Sequence, residues 1–93
     1  MSVAFNQRVH VPADVLVSNL DGESVLLNLR TETYFGLDEV GTRMWTVLTA
    51  AESIQAAFDM LAREYDVDPS QLRQDLRDFL DELTARQLLD VHE

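Results

Sequence analysis

Asp21-Gly22 divides two β-rich runs, Val15–Leu20 (VLVSNL) and Ser24–Leu29 (SVLLNL). Asp-Gly suits the two left-handed positions of a type I′ turn, whose twist matches that of the strands it joins. A two-residue loop fixes the register: Leu20 faces Glu23, Val17 faces Leu26 and Leu16 faces Leu27. The second run is apolar at almost every position, as a central strand reads. Leu29-Arg30-Thr31-Glu32 then reverses the chain, and Thr33-Tyr34-Phe35 returns as a third strand.

Past the third strand the periodicity changes from two to 3.6. Asp38 caps a helix over about Glu39–Leu48, with Val40, Met44, Val47 and Leu48 at helical spacing and Trp45 alongside. Ser53 caps a second, Ile54–Tyr65, with the stripe Ile54, Phe58, Leu61, Ala62 and Tyr65. Asp68-Pro69-Ser70-Gln71 puts an N-cap, a proline at the first helical position and a capping-box glutamine at the head of a third helix. That helix runs to about Arg86 on the stripe Leu72, Leu76, Phe79, Leu80 and Leu83, and Leu88-Leu89 closes back on the core before the tail frays. Upstream, Pro12 limits any strand near Val9–Val11 to a short or edge position. The fold class is α+β: a three-stranded antiparallel sheet followed by three helices, winged helix-turn-helix-like, with helices covering one sheet face. The 93 residues form one domain, 1–93, with no room for a second core.

A formal net charge of −10 argues against phosphate backbones and anionic membranes, and suits a neutral or basic partner. A DNA-reading third helix would present basic and amide side chains, but Asp75, Asp78, Asp81 and Glu82 outnumber Arg73, Arg77 and Gln74. Arg77 and Asp81 stand at i, i+4, where they can pair weakly. The absence of cysteine removes disulfides, thiolate catalysis and cysteine metal sites, and fits the cytoplasm. No apolar run approaches the roughly 20 residues that span a bilayer, and the N-terminus lacks the apolar stretch of a signal peptide. Histidine occurs only at His10 and His92, one in each weakly patterned end, which reads as two exposed side chains rather than a metal pair.

Small acidic acyl carriers provide one comparison, through Glu23-Ser24-Val25 and Glu52-Ser53-Ile54. Carriers place the modified serine at a helix start within an all-helical bundle. Here Ser24 lies in a strand, and Ser53 reads as a helix cap. No motif supplies a catalytic site, a metal site or a cofactor site.

The third strand remains. Thr33-Tyr34-Phe35 is rich in β-formers, has no fourth strand to pair with, and lacks the lysines or proline that guard an edge. Such an edge accepts an extended peptide by strand addition, with the third helix as the second wall. Tyr34, Phe35, Leu76 and Phe79 read equally well as ordinary core, and periodicity alone leaves both readings open.

VLLNLRTETYFGLDEVGTRMW, followed by Tyr65 and then Asp75, Phe79-Leu80, Leu83 and Leu88-Leu89, resembles the PqqD-like proteins, the leader-recognition elements of ribosomally made, post-translationally modified peptides. The resemblance covers about Val15–Leu89. It is strongest to the small standalone member of split lasso-peptide pathways. It implies a non-catalytic protein that captures a precursor's leader peptide and presents the precursor to a separate leader peptidase and an ATP-dependent cyclase. It implies a leader added as an antiparallel strand beside Thr33, Tyr34 and Phe35, against Leu72, Asp75, Leu76, Phe79, Leu80 and Leu83. Apolar leader residues, in a Tyr…Pro…Leu pattern, would fill the pockets, and the acidic helix face would favour leader lysines. Relatives of this kind also serve radical enzymes that modify peptides. Where relatives often carry Asn, this chain has Asp38, which caps a helix equally well.

Overall fold

The structure is a computed structural model that describes residues 4–92. Strands β1 (Arg8–His10), β2 (Val15–Leu20), β3 (Glu23–Asn28) and β4 (Thr33–Leu37) precede helices α1 (Glu39–Ala50), α2 (Ile54–Glu64) and α3 (Pro69–Ala85), and β5 (Asp90–His92) ends the chain. The expected three-stranded antiparallel sheet is present in the order β2-β3-β4. Its hairpin has the register set by the two-residue loop: Leu20 opposite Glu23, Val17 opposite Leu26, Leu16 opposite Leu27. Asp21 and Gly22 carry the positive φ angles, 52° and 84°, that a type I′ turn demands.

The two ends of the described chain depart from the sequence reading. The tail does not fray: β5 pairs antiparallel with β1 as a separate two-stranded sheet, Val9 opposite Val91. This clasp brings the two histidines together, His10 and His92 rings meeting edge to face at 5.4 Å. Among the described residues no group of three or more potential ligands is placed to hold a metal. Neither strand is long enough to show an alternation, so the pairing could not be read locally.

The buried face of the main sheet carries Ser24, Leu26 and Asn28 of β3, with Val15 and Leu37 from its neighbours. They meet Met44, Trp45, Val47 and Leu48 of α1, while Val40 faces solvent, contrary to its helical spacing. Ile54, Ala57, Phe58 and Leu61 of α2 and Leu72, Leu76, Leu80 and Leu83 of α3 complete the core, with Leu88 and Leu89 beneath. Three caps behave as read: Asp38 Oδ1 accepts from Gly41 N–H (2.8 Å), Ser53 Oγ from Ala56 N–H (3.0 Å) and Asp68 Oδ1 from Ser70 N–H (2.8 Å). Gln71 does not close a capping box; its amide donates to Asp75 instead. The first N–H groups of α2 are satisfied from far upstream, Ile54 by the Gln7 carbonyl and Gln55 by the Phe5 carbonyl. Arg43 of α1 makes a two-pronged pair with Glu64 of α2, and its hydrogen bonds hold the Glu64 carboxyl below its ordinary range. A depressed carboxyl favours folding above its unfolded pKa, and the contribution fades as pH falls through the lower, folded value.

Helix α3 ends in a Schellman turn. Leu88 N–H reaches the Leu83 carbonyl at 2.9 Å and Gln87 N–H the Thr84 carbonyl at 3.1 Å. Gln87 occupies the left-handed position (φ 59°), which glycine adopts without strain. Gln87→Gly is expected to raise the unfolding free energy by about 0.5–1 kcal/mol, the left-handed penalty less the extra chain entropy of glycine. Urea titration followed through the single, buried Trp45 reads this directly; a destabilised variant would mean that the Gln87 amide contact to Arg30 outweighs the strain.

Candidate functional site

The hairpin decides which backbone groups of β4 are free. In a two-residue hairpin the pair closing the loop exchanges both its hydrogen bonds. Here that pair is Leu20 and Glu23. Alternate residues of β3 from Glu23 onward, Val25 and Leu27, therefore turn their peptide groups to β2. Ser24, Leu26 and Asn28 turn theirs to β4, where they meet Leu37, Phe35 and Thr33. Tyr34 and Gly36 are left with N–H and C=O directed away from β3, along the outer edge of the sheet. Among the described residues no strand pairs with that edge.

Side chains alternate on the same strand. Thr33, Phe35 and Leu37 share the face of Leu26 and Asn28, toward the helices. Tyr34 points the other way, 74% exposed, opposite Leu27 and, beyond it, Leu16. With Val25 these residues line an apolar concavity of about 480 Å³ on the outer sheet face. Tyr34 thus offers the edge its backbone, not its ring.

Helix α3 packs on α2, while β4 is held by β3 and α1. At about 100° per residue, Asp75, Phe79, Glu82 and Arg86 fall on one flank of α3, and Arg73 and Arg77 on the other. Phe79 is half-buried against the core. Arg86, just past the helix, sets its guanidinium 4.8 Å from the centre of the Phe35 ring and pairs with Glu82 at 3.2 Å. This contact places the first flank toward β4. Asp75 is exposed on it, its carboxylate accepting from Gln71 (2.7 Å).

Of the expected helix wall, Leu72, Leu76, Leu80 and Leu83 lie in the core, none more than 3% exposed. They support the flank from behind; Phe79 and Asp75 present its surface. Gly36, Glu82 and Arg86 were not among the candidate residues. Gly36 could have been found from the hairpin, since the same alternation that frees Tyr34 frees it too. Arg86 had no local signal, because its partner Phe35 lies 51 positions away.

A buried polar side chain also joins the two walls. Asn28, 1% exposed, accepts from Arg30 N–H (2.9 Å) and Thr31 N–H (3.1 Å), bracing the reversal into β4. Its amide donates to the Gln87 carbonyl (2.8 Å) in the turn that ends α3.

Neither serine considered for acylation is free. Ser24 is buried with its hydroxyl 2.8 Å from that of Thr42, and Ser53 caps α2. No described helix is long and apolar enough to cross a membrane.

The family described as coenzyme PQQ synthesis protein D (PqqD) matches residues 23–89. Two solved structures are close in shape. TbiB1, in complex with the TbiA(beta) leader peptide, is 41% identical with a TM-score of 0.81, over 86% of this chain and 93% of that one. A lasso peptide synthetase B1, complexed with its leader peptide, has a TM-score of 0.80 at 19% identity, over 89% of this chain and 98% of that one, a likeness of fold. A search of curated proteins finds no match.

Proposed function

The chain belongs to the PqqD family, and we propose from this that it binds the leader of a lasso-peptide precursor by adding it as an antiparallel strand to β4. The observation that carries the reading is the open edge: the peptide groups of Tyr34 and Gly36 face outward beside the Phe79 flank of α3. A peptide strand here satisfies those groups, while its alternate side chains reach toward Phe35 and Phe79. Asp75 and Glu82 on the same flank favour a leader carrying lysine. The 41% identity to TbiB1, which is in complex with a leader peptide, supports the leader-binding reading. The role is recognition: the bound precursor is handed to a separate leader peptidase and then to an ATP-dependent cyclase.

Fluorescence polarisation with a labelled synthetic leader of the cognate precursor tests this. Saturable binding, lost when the leader's Tyr or Leu becomes Ala, is expected. A leader that fails to bind the folded protein removes the proposal. Phe79→Ala is expected to weaken binding by about 1–3 kcal/mol, as for a single interface anchor. Unchanged affinity in a folded variant would take Phe79 out of the site.

A further inference from the structure

On the flank of α3 turned away from β4, Phe58, Pro69, Ser70, Arg73, Gln74 and Arg77 line a cleft of about 250 Å³. Its construction starts at the N-terminal segment. The Phe5 carbonyl is tied to Gln55 N–H in the first turn of α2 (2.7 Å), which lays the Phe5 ring edge to face on Phe58, centroids 6.0 Å apart. The Arg73 guanidinium sits 4.4 Å from the Phe5 ring centre and 4.7 Å from that of Phe58; Arg77 sits 5.6 Å from Phe5. Aromatic faces hold both cations in place without neutralising them.

Their charge is not met elsewhere. Arg30, Arg43 and Arg86 each have a carboxylate within 4.0 Å; among the described residues Arg73 and Arg77 have none. The Arg77–Asp81 pair expected from helical spacing does not form, although the chain carries 17 acidic residues. Arg77 Nε is shielded from solvent and has no hydrogen-bond acceptor. A buried donor without an acceptor is costly unless a ligand supplies one. Of the other polar side chains of the cleft, Ser70 has a hydroxyl that can donate, while the Gln74 amide already donates to the Asp78 carboxylate (2.9 Å).

We propose that this cleft binds an oxyanion, specifically the side-chain carboxylate of an acidic segment on a partner protein. Two planar guanidinium forks match a carboxylate or a phosphate. A nucleotide base would find both aromatic rings already covered by arginine. The apolar walls from Phe58 and Pro69 suit the methylenes of a glutamate, and the cleft opens to solvent, so its occupant can remain part of a chain. Because it occupies the opposite flank of α3 from the β4 edge, it can be filled while a leader is bound. On a protein of net charge −10, one discrete cationic cleft orients an acidic partner that the remaining surface repels.

The test is an NMR titration of the arginine Nε–Hε signals of the full chain with N-acetylglutamate methylamide. The neutral glutamine analogue and inorganic phosphate form parallel arms. Saturable shifts at Arg73 and Arg77 are expected with the carboxylate only, with the exposed Arg63 unmoved. Arg77→Gln is expected to weaken binding about tenfold, the loss of one charge-assisted contact, and Arg77→Lys, which keeps charge and stem, to weaken it as well. Backbone amide spectra report that each variant is folded, and leader affinity is expected to stay unchanged in both. Shifts that grow linearly and equally at Arg63, or an affinity left unchanged in folded Arg77→Gln, overturn the proposal. Saturation by phosphate and not by the carboxylate overturns the assignment of the ligand.

Discussion

Tyr34→Pro is expected to weaken leader binding about 100-fold or more while the protein stays folded. The two halves of this expectation come from one fact, the direction of a single N–H. Register and loop length put the Tyr34 peptide group on the outer edge of β4, so proline there removes no ladder bond within the sheet. The Tyr34 side chain is mostly exposed, so little packing is lost. What is lost is the donor that an added strand would use, and the proline ring stands where the incoming backbone must approach. Tyr34→Ala keeps the N–H and is expected to retain most of the affinity. Phe35→Pro provides the converse: its N–H points to Leu26 inside the sheet, and the variant is expected to be strongly destabilised. Polarisation titrations and urea midpoints on the three variants separate edge from ladder. A folded Tyr34→Pro protein that binds leader normally ends the strand-addition mechanism.

The edge could be reached from sequence because it depends on local chemistry alone. Asp21-Gly22 dictates a two-residue loop, the loop dictates register, and register dictates which alternate peptide groups of β4 are spoken for. The helices were equally legible, since Asp38, Ser53 and Asp68 cap where they stand. What escaped depends on residues far apart in the chain. The β1–β5 clasp joins the two ends through strands of three residues each. Arg77 has a carboxylate one helical turn away at Asp81, yet it turns to Phe5. An aromatic surface assembled from another part of the chain outcompetes a solvated helical ion pair, which is weak in water. The third-helix leucines posed a different difficulty. Periodicity identifies the apolar stripe but not its width, and only packing shows Leu76 and Leu80 enclosed while Phe79 reaches the margin.

Asn28 also escaped, because it interrupts a run that otherwise reads as a buried apolar strand, and the largest stability effect is expected there. Asn28→Ala is expected to lower the unfolding free energy by about 2–4 kcal/mol, since three hydrogen bonds to backbone groups are lost at a site closed to solvent. Asn28→Asp divides the loss. Its oxygens still accept from Arg30 and Thr31 N–H, preserving the turn into β4. The amide that donated to the Gln87 carbonyl is replaced by a carboxylate oxygen facing another oxygen, so the tie to the end of α3 becomes repulsive. Protonation restores a donor. The introduced carboxyl is expected to titrate above the ordinary aspartate range, with part of the stability returning as pH falls through that raised value. Because this side chain braces β4 and α3 together, folded Asn28→Asp protein is expected to bind leader more weakly at neutral pH and to recover affinity on acidification. Urea titrations and polarisation assays across pH on the same samples check both. A variant with native stability and a flat pH profile would show that the two walls are held by the leucine core alone.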